Sequence, residues 1–251
     1  MPDRNTNNKN PRIRFVVSKA RDCVTAKDFA ESAVHDDGRF LGWAIFRRFP
    51  ELKKYYRAER HAFLFSEIKS FVRGQYAKHR RTMAKDMRKY GEIWRSKEAG
   101  FYELTGKLFP GRRWPKGEYI AYGTIWGMFP RFLENKTFQV PFHREKKYNI
   151  PVIVAHEMLH FMFYDYLYGR YPKYKDQEKY SFFVWHVSEV FNSVVQNTKE
   201  WKSFFGGTSS PYPEHRRIVA QVRREIGDGP LTDIDRLTDA IIRNVKATIK
   251  S

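Results

Sequence analysis

The sequence predicts an α+β protein, and three observations lead to that expectation. Residues 119–129 and 136–142 are rich in β-branched and aromatic side chains and flank a short segment holding Pro130 and Asn135, which reads as a hairpin. Residues 150–168 have only Glu157 and Asp165 as charged groups, with no proline after Pro151 and no glycine, which suits a buried helix. Runs of helical periodicity stand on both sides, over 51–94 before these stretches and over 177–197, 213–226 and 232–249 after them.

Taken in order, residues 1–12 are rich in Asn, Lys and Pro and are expected to be a disordered tail. Residues 14–17 read as a short strand, and 25–34 and 41–48 as helices. The long helix over 51–94 owes its apolar stripe to Phe63, Ile68, Phe71, Val72 and Tyr76. A helix over 98–108 is stopped by Phe109, Pro110 and Gly111, and the strand pair follows. Asn149 is placed to cap the apolar helix, whose first turn tolerates Pro151 because that turn has no intrahelical use for its amide. A loop over 169–175 leads to the helix of 177–197. Pro213 starts the next helix, and Thr232 with Asp235 has the spacing of a capping box for the last.

With 251 residues, 41% hydrophobic and 17% aromatic, the chain has material for a true core. No apolar stretch is long enough to span a bilayer and the N-terminus lacks the apolar core of a signal peptide, so a soluble, cytoplasmic protein without membrane contact is expected. The single cysteine, Cys23, excludes an intramolecular disulfide framework and a cysteine-built zinc site. The 47 basic and 28 acidic residues leave a net charge of +19, much of it in Lys78, Arg80, Arg81, Lys85, Arg88 and Lys89 and in Arg216, Arg217, Arg223 and Arg224. Such a face is either simply solvated or a binder of phosphates, and acidic peptides are a third kind of partner.

The sharpest feature is His156-Glu157-Met158-Leu159-His160. Residues four apart on a helix share a face, so His156 and His160 can hold one Zn²⁺ through their imidazoles, with Glu157 placed to work on a water at the metal. A core helix that merely contained these three groups would bury them at a cost of several kcal/mol. A catalytic zinc usually takes a third protein ligand and keeps a fourth position open. Glu189, in the apolar run 185–193, is the suitable acid downstream, and His186 one turn earlier reads as a ligand, as a supporting group or simply as a histidine on the helix flank.

This His-Glu-x-x-His run resembles that of the zincin metallopeptidases. Phe163 and Tyr166 stand where the metzincin pattern has glycine and a third histidine, which excludes that branch. Ser188-Glu189-Val190-Phe191-Asn192-Ser193 resembles the thermolysin-type Asn-Glu-x-x-Ser-Asp segment of the gluzincins, with Glu189 in the ligand position. The chain departs from that pattern at Ser193, where the family has an aspartate that orients a zinc histidine, leaving Asn192 and Asp165 as candidates for that task. The compact, minimal gluzincins are the nearest in layout. The resemblance implies a zincin-like domain over 96–251, with a small mixed sheet, an active-site helix and a glutamate helix, preceded by a helical region over 13–95 of unassigned role. It further implies one Zn²⁺ on His156, His160 and Glu189, with Glu157 as general base and acid for peptide hydrolysis. A peptide or protein substrate would lie along an edge strand at 123–129, and Tyr212 or His215, from the loop 206–215, would donate to the oxyanion.

Two readings compete with the peptidase. One is a nucleic-acid-associated protein using the zincin fold as a scaffold, and the other is a latent zincin acting as an interaction module.

Overall fold

The computed structural model describes residues 10–31, 42–57, 62–142, 148–227, 229 and 231–249, and the chain is α+β and predominantly helical. Residues 1–9 of the expected tail, 32–34 of one expected helix, Leu41 of the next and 58–61 of the expected long helix lie outside the described residues. Two compact units are formed, one by Ile13–Ile93 with Glu118–Ile150, the other by residues 10–12, 94–117 and 151–249.

The first unit is built on a mixed four-stranded sheet of β1 (Ile13–Val17), β4 (Tyr119–Thr124), β5 (Arg131–Phe132) and β6 (Thr137–Pro141), in the order β1-β4-β6-β5. The expected hairpin is corrected here. β4 and β6 run parallel, with Gly123 opposite Val140, and the antiparallel partner of β6 is the two-residue β5. The expected substrate-binding edge at 123–129 is corrected with it. β1 covers the other side of β4, pairing Val17 with Gly123, so β4 is an interior strand, and Ile125 and Trp126 beyond it are buried. The cause is a pairing between segments a hundred residues apart, which local alternation cannot reveal.

Between β1 and the later strands come α1 (Lys19–Glu31), α2 (Trp43–Arg48), a 3₁₀ turn (Pro50–Tyr55), a ribbon of β2 (Tyr56–Arg57) and β3 (Ala62–Phe63), and α3 (Phe65–Arg95). The long helix therefore starts at Phe65 and not at residue 51. Tyr56 and Phe63 face each other edge-on at 5.5 Å and both pack on the Phe46 ring, which favours a paired aromatic ribbon over helical continuation. The core joins Ile45, Phe46 and Leu52 to Ile68, Val72, Tyr76 and Met83 of α3 and to Ile125 and Trp126. A Cβ at Gly123 would fall 2.8 Å from the Met87 sulfur, so α3 approaches β4 closely here and any larger residue at this position would have to displace the end of the Met87 side chain.

Buried Asp22 of α1 ties this unit together. Its Oδ1 accepts from Thr124 Oγ1 at 2.6 Å and Gln139 Nε2 at 3.1 Å, and its Oδ2 from Tyr76 Oη at 2.9 Å and the Ile125 amide at 3.2 Å. Its backbone carbonyl accepts from the Trp126 indole at 2.9 Å.

The second unit is helical: α4 (Glu98–Leu108), α5 (from Ile150 to Arg170), α6 (Gln177–Gln196), α7 (Lys199–Phe205), α8 (Arg216–Ile226) and α9 (Ile234–Thr248). The helix α7 has no counterpart in the sequence reading. Thr198 caps it by accepting from the Trp201 amide, and Gly206, at φ +65, ends it in the left-handed region open to glycine. The cap of α9 is Asp233 and not Thr232. Phe163 of α5 stacks on Phe191 of α6 at 4.1 Å. The Tyr166 hydroxyl donates to Asp235 at 2.5 Å and that of Tyr171, just past the helix, donates to Asp239, bracing the C-terminal end of α5 and the residue that follows it against α9. Pro11 is held by its carbonyl, which accepts from Tyr102. No helix among the described residues is long and apolar enough to cross a membrane.

Candidate metal centre

Helices α5 and α6 supply every group of the centre, and their sequences explain the alignment. On α5, Val154, Ala155, Met158, Leu159, Phe161, Met162 and Phe163 are buried, so the helix is held on all sides and its three polar residues at 156, 157 and 160 are fixed in direction. On α6, Glu189, Asn192 and Gln196 recur at helical spacing among Val187, Val190, Phe191, Val194 and Val195, and all are buried. The Asn192 amide donates to the His156 carbonyl at 2.8 Å and the Gln196 amide to the Val152 carbonyl at 2.9 Å, so α6 is registered on the α5 backbone by two polar side chains.

That register brings His156, His160 and Glu189 into one cluster whose ligand atoms all lie within 4.8 Å of one another, a group that could hold a metal ion. Glu189 Oε2 is 3.2 Å from His156 Nε2 and Glu189 Oε1 is 3.4 Å from His160 Nε2. Two ligands of a tetrahedral ion at bond lengths of about 2.0–2.1 Å stand roughly 3.3 Å apart, so both pairs have the spacing of a shared ion. Two imidazoles and a carboxylate also form a donor set that such an ion accepts. The residues fit.

The His156 ring is fixed by a residue the sequence reading missed. Gln196 Oε1 lies 2.9 Å from His156 Nδ1, and because the Gln196 amide nitrogen is spent on Val152, Oε1 faces the ring and can only accept. His156 therefore carries a proton on Nδ1 and turns Nε2 towards Glu189, where a metal ion could be held. The spacing of Glu189, Asn192 and Gln196 on one helical face was the available signal. Of the two groups expected to hold an imidazole, Asn192 anchors the α5 backbone instead and Asp165 is exposed, away from the centre's buried face. Gln196→Leu is expected to weaken metal affinity about 10–100-fold, read by chelator competition, with the unfolding midpoint as a control.

Burial works against charge on His156, yet the hydrogen bond and charge of Glu189, followed by the Glu157 charge and Gln196, outweigh it and leave its pKa raised. Glu157 is buried beside it at 6% exposure. The His156 side chain keeps 18% of its surface open, against 0% for His160 and 4% for Glu189, so the centre opens to solvent on the His156 side.

The structure brings His186 and His215 together outside this ligand cluster. His186 Nδ1 is 2.6 Å from His215 Nε2, and both rings are buried. Tyr212 packs over Trp185 at 5.2 Å and His215 at 5.6 Å and is 45% exposed. The two oxyanion candidates thus lie together against the α6 turn that precedes Glu189.

Comparison of the chain with protein-family models, with curated proteins and with solved structures finds no match in any of the three.

Proposed function

We propose that this protein is a zinc-dependent metallopeptidase of the gluzincin type, with a zincin-like domain that contains α5 and α6. The observation that carries this reading is the meeting of the α5 pair His156 and His160 with Glu189 of α6 at ligand spacing, with Glu157 between the histidines. Zinc suits two imidazoles and one carboxylate and, when bound, acidifies a water and polarises a carbonyl.

The chain's own groups account for the rest. His156, His160 and Glu189 hold the ion, and Gln196 keeps the His156 ring turned towards it. Glu157 takes a proton from the attacking water and returns it to the departing amine nitrogen, which balances the hydrolysis of one peptide bond. Tyr212 is the better oxyanion donor of the two candidates, because its ring is exposed whereas the His215 ring is buried with Nε2 facing His186. In this assignment His215 positions Tyr212 through their ring contact.

The test is metal analysis of the purified wild type beside Glu189→Ala. One zinc per chain in the wild type and its loss in the variant, with unchanged circular dichroism, is the expected result. Equal zinc in both removes Glu189 from the ligand set, and no zinc after reconstitution in either overturns the proposal.

A further inference from the structure

The proposed peptidase chemistry leaves the charge of α3 unused. Between Lys69 and Lys89 this helix presents eight exposed lysines and arginines, running from Lys69 and Arg73 through Arg80 and Arg81 to Arg88 and Lys89. The one acid in that interval is Asp86, which is half-buried. Among the described residues, only Lys89 of the eight has an ion-pair partner, Glu92 at 3.4 Å. The stretch is about 30 Å long at helical rise.

We propose that this face of α3 is a docking surface for the phosphate backbone of double-stranded nucleic acid. Three observations narrow the partner. The first is charge complementarity. A line of one sign over about 30 Å matches a duplex, which carries one negative charge per ~1.7 Å of its axis. The second is that the opposite face is already used. Ile68, Val72, Tyr76, Met83 and Met87 are buried in the core, so α3 is held rigid and has no apolar side left to enter a bilayer, as an interfacial membrane helix would need. The third is that no aromatic side chain is exposed between Lys69 and Lys89, so the face offers no platform for stacking unpaired bases. Recognition here is therefore of phosphates on a duplex, without sequence reading.

The surface is independent of the metal centre, and its test is independent too. Fluorescence anisotropy of a labelled 20-base-pair duplex with the full chain is expected to show binding whose log affinity falls with log salt at a slope of about −4 to −6. The variant Arg80→Glu, Arg81→Glu, Arg88→Glu is expected to bind at least ~100-fold more weakly at about 0.1 M salt, with the slope shallower by about 3. The matched control Arg216→Glu, Arg217→Glu, Arg224→Glu changes the net charge equally on α8 and is expected to lose less than ~5-fold. Glutamine at the same three α3 positions gives an intermediate loss and keeps helix propensity, which separates a surface effect from misfolding. Equal losses in the α3 and α8 variants would reduce the effect to net charge and overturn the site. Equal affinity for single strands, or tighter binding to phosphatidylserine vesicles than to duplex, would overturn the assigned partner.

Discussion

Glu157→Gln is expected to keep its zinc and lose about 10²–10⁴-fold in kcat on a peptide substrate, with KM little changed. Glutamine matches glutamate in shape but cannot accept a proton from water at neutral pH, so the substitution removes the transfer and leaves the space filled. Glu157 lies outside the His156, His160 and Glu189 cluster, which is why metal content should survive. Its burial means that few waters compete for the carboxylate, and the open side of the centre lies at the adjacent His156. The two readouts separate two failures. Zinc retained with activity lost assigns Glu157 to the chemistry, whereas zinc lost along with activity makes it part of the binding site. Hydrolysis at the wild-type rate by the variant would mean that the activity arises from another protein in the preparation, and the peptidase proposal would then rest on the metal alone.

What the sequence disclosed follows from how local each feature is. The helix α5 was legible because periodicity, a scarcity of charge and the four-residue histidine spacing all lie within one segment, and it extends only two residues past the expected end, to Arg170. Glu189 was legible as the acid in an apolar helix, and the cluster containing it forms. Gln196 was harder to find because its one signal, helical spacing from Glu189 and Asn192, does not say what its amide meets, and only the structure places that amide between Val152 and His156. The sheet was the hardest part. Alternation in 119–129 and 136–142 marks strands but not their partners, and the neighbour that closes the outer side of β4 is β1. A parallel pairing over that distance has no turn to announce it, unlike the short β5–β6 connection. The break before α3 was hidden for a related reason. Tyr55, Tyr56 and Phe63 fit an apolar stripe on paper, and only packing against Phe46 and its neighbours decides for the ribbon.

Asp22→Ala is expected to be the most damaging single change in the sheet unit, at about 3–5 kcal/mol by denaturant unfolding. The alanine would leave the hydroxyls of Thr124 and Tyr76, the Gln139 amide and the Ile125 backbone amide without their acceptor in a buried space. Asp22→Asn is expected to be much milder, because an amide oxygen can still accept from Tyr76 and Ile125 while its nitrogen donates to the Thr124 hydroxyl and to a turned Gln139 amide. The pair also yields a pH signature. Burial pushes the Asp22 carboxyl up to about 6, against hydrogen bonds from Thr124, Ile125, Tyr76 and Gln139 that pull it down. In the unfolded chain the same group titrates near ~3.9, so the folded state holds the extra proton between these values. The resulting stability is fully present below about pH 4 and is lost as pH rises through about 6, a change of roughly 3 kcal/mol. Asparagine does not titrate, so the stability difference between wild type and Asp22→Asn should move by about 2–3 kcal/mol in favour of the variant from pH 4 to pH 7. A difference that stays constant over that range would mean that the carboxyl is already ionised at pH 4, with its four donors outweighing burial.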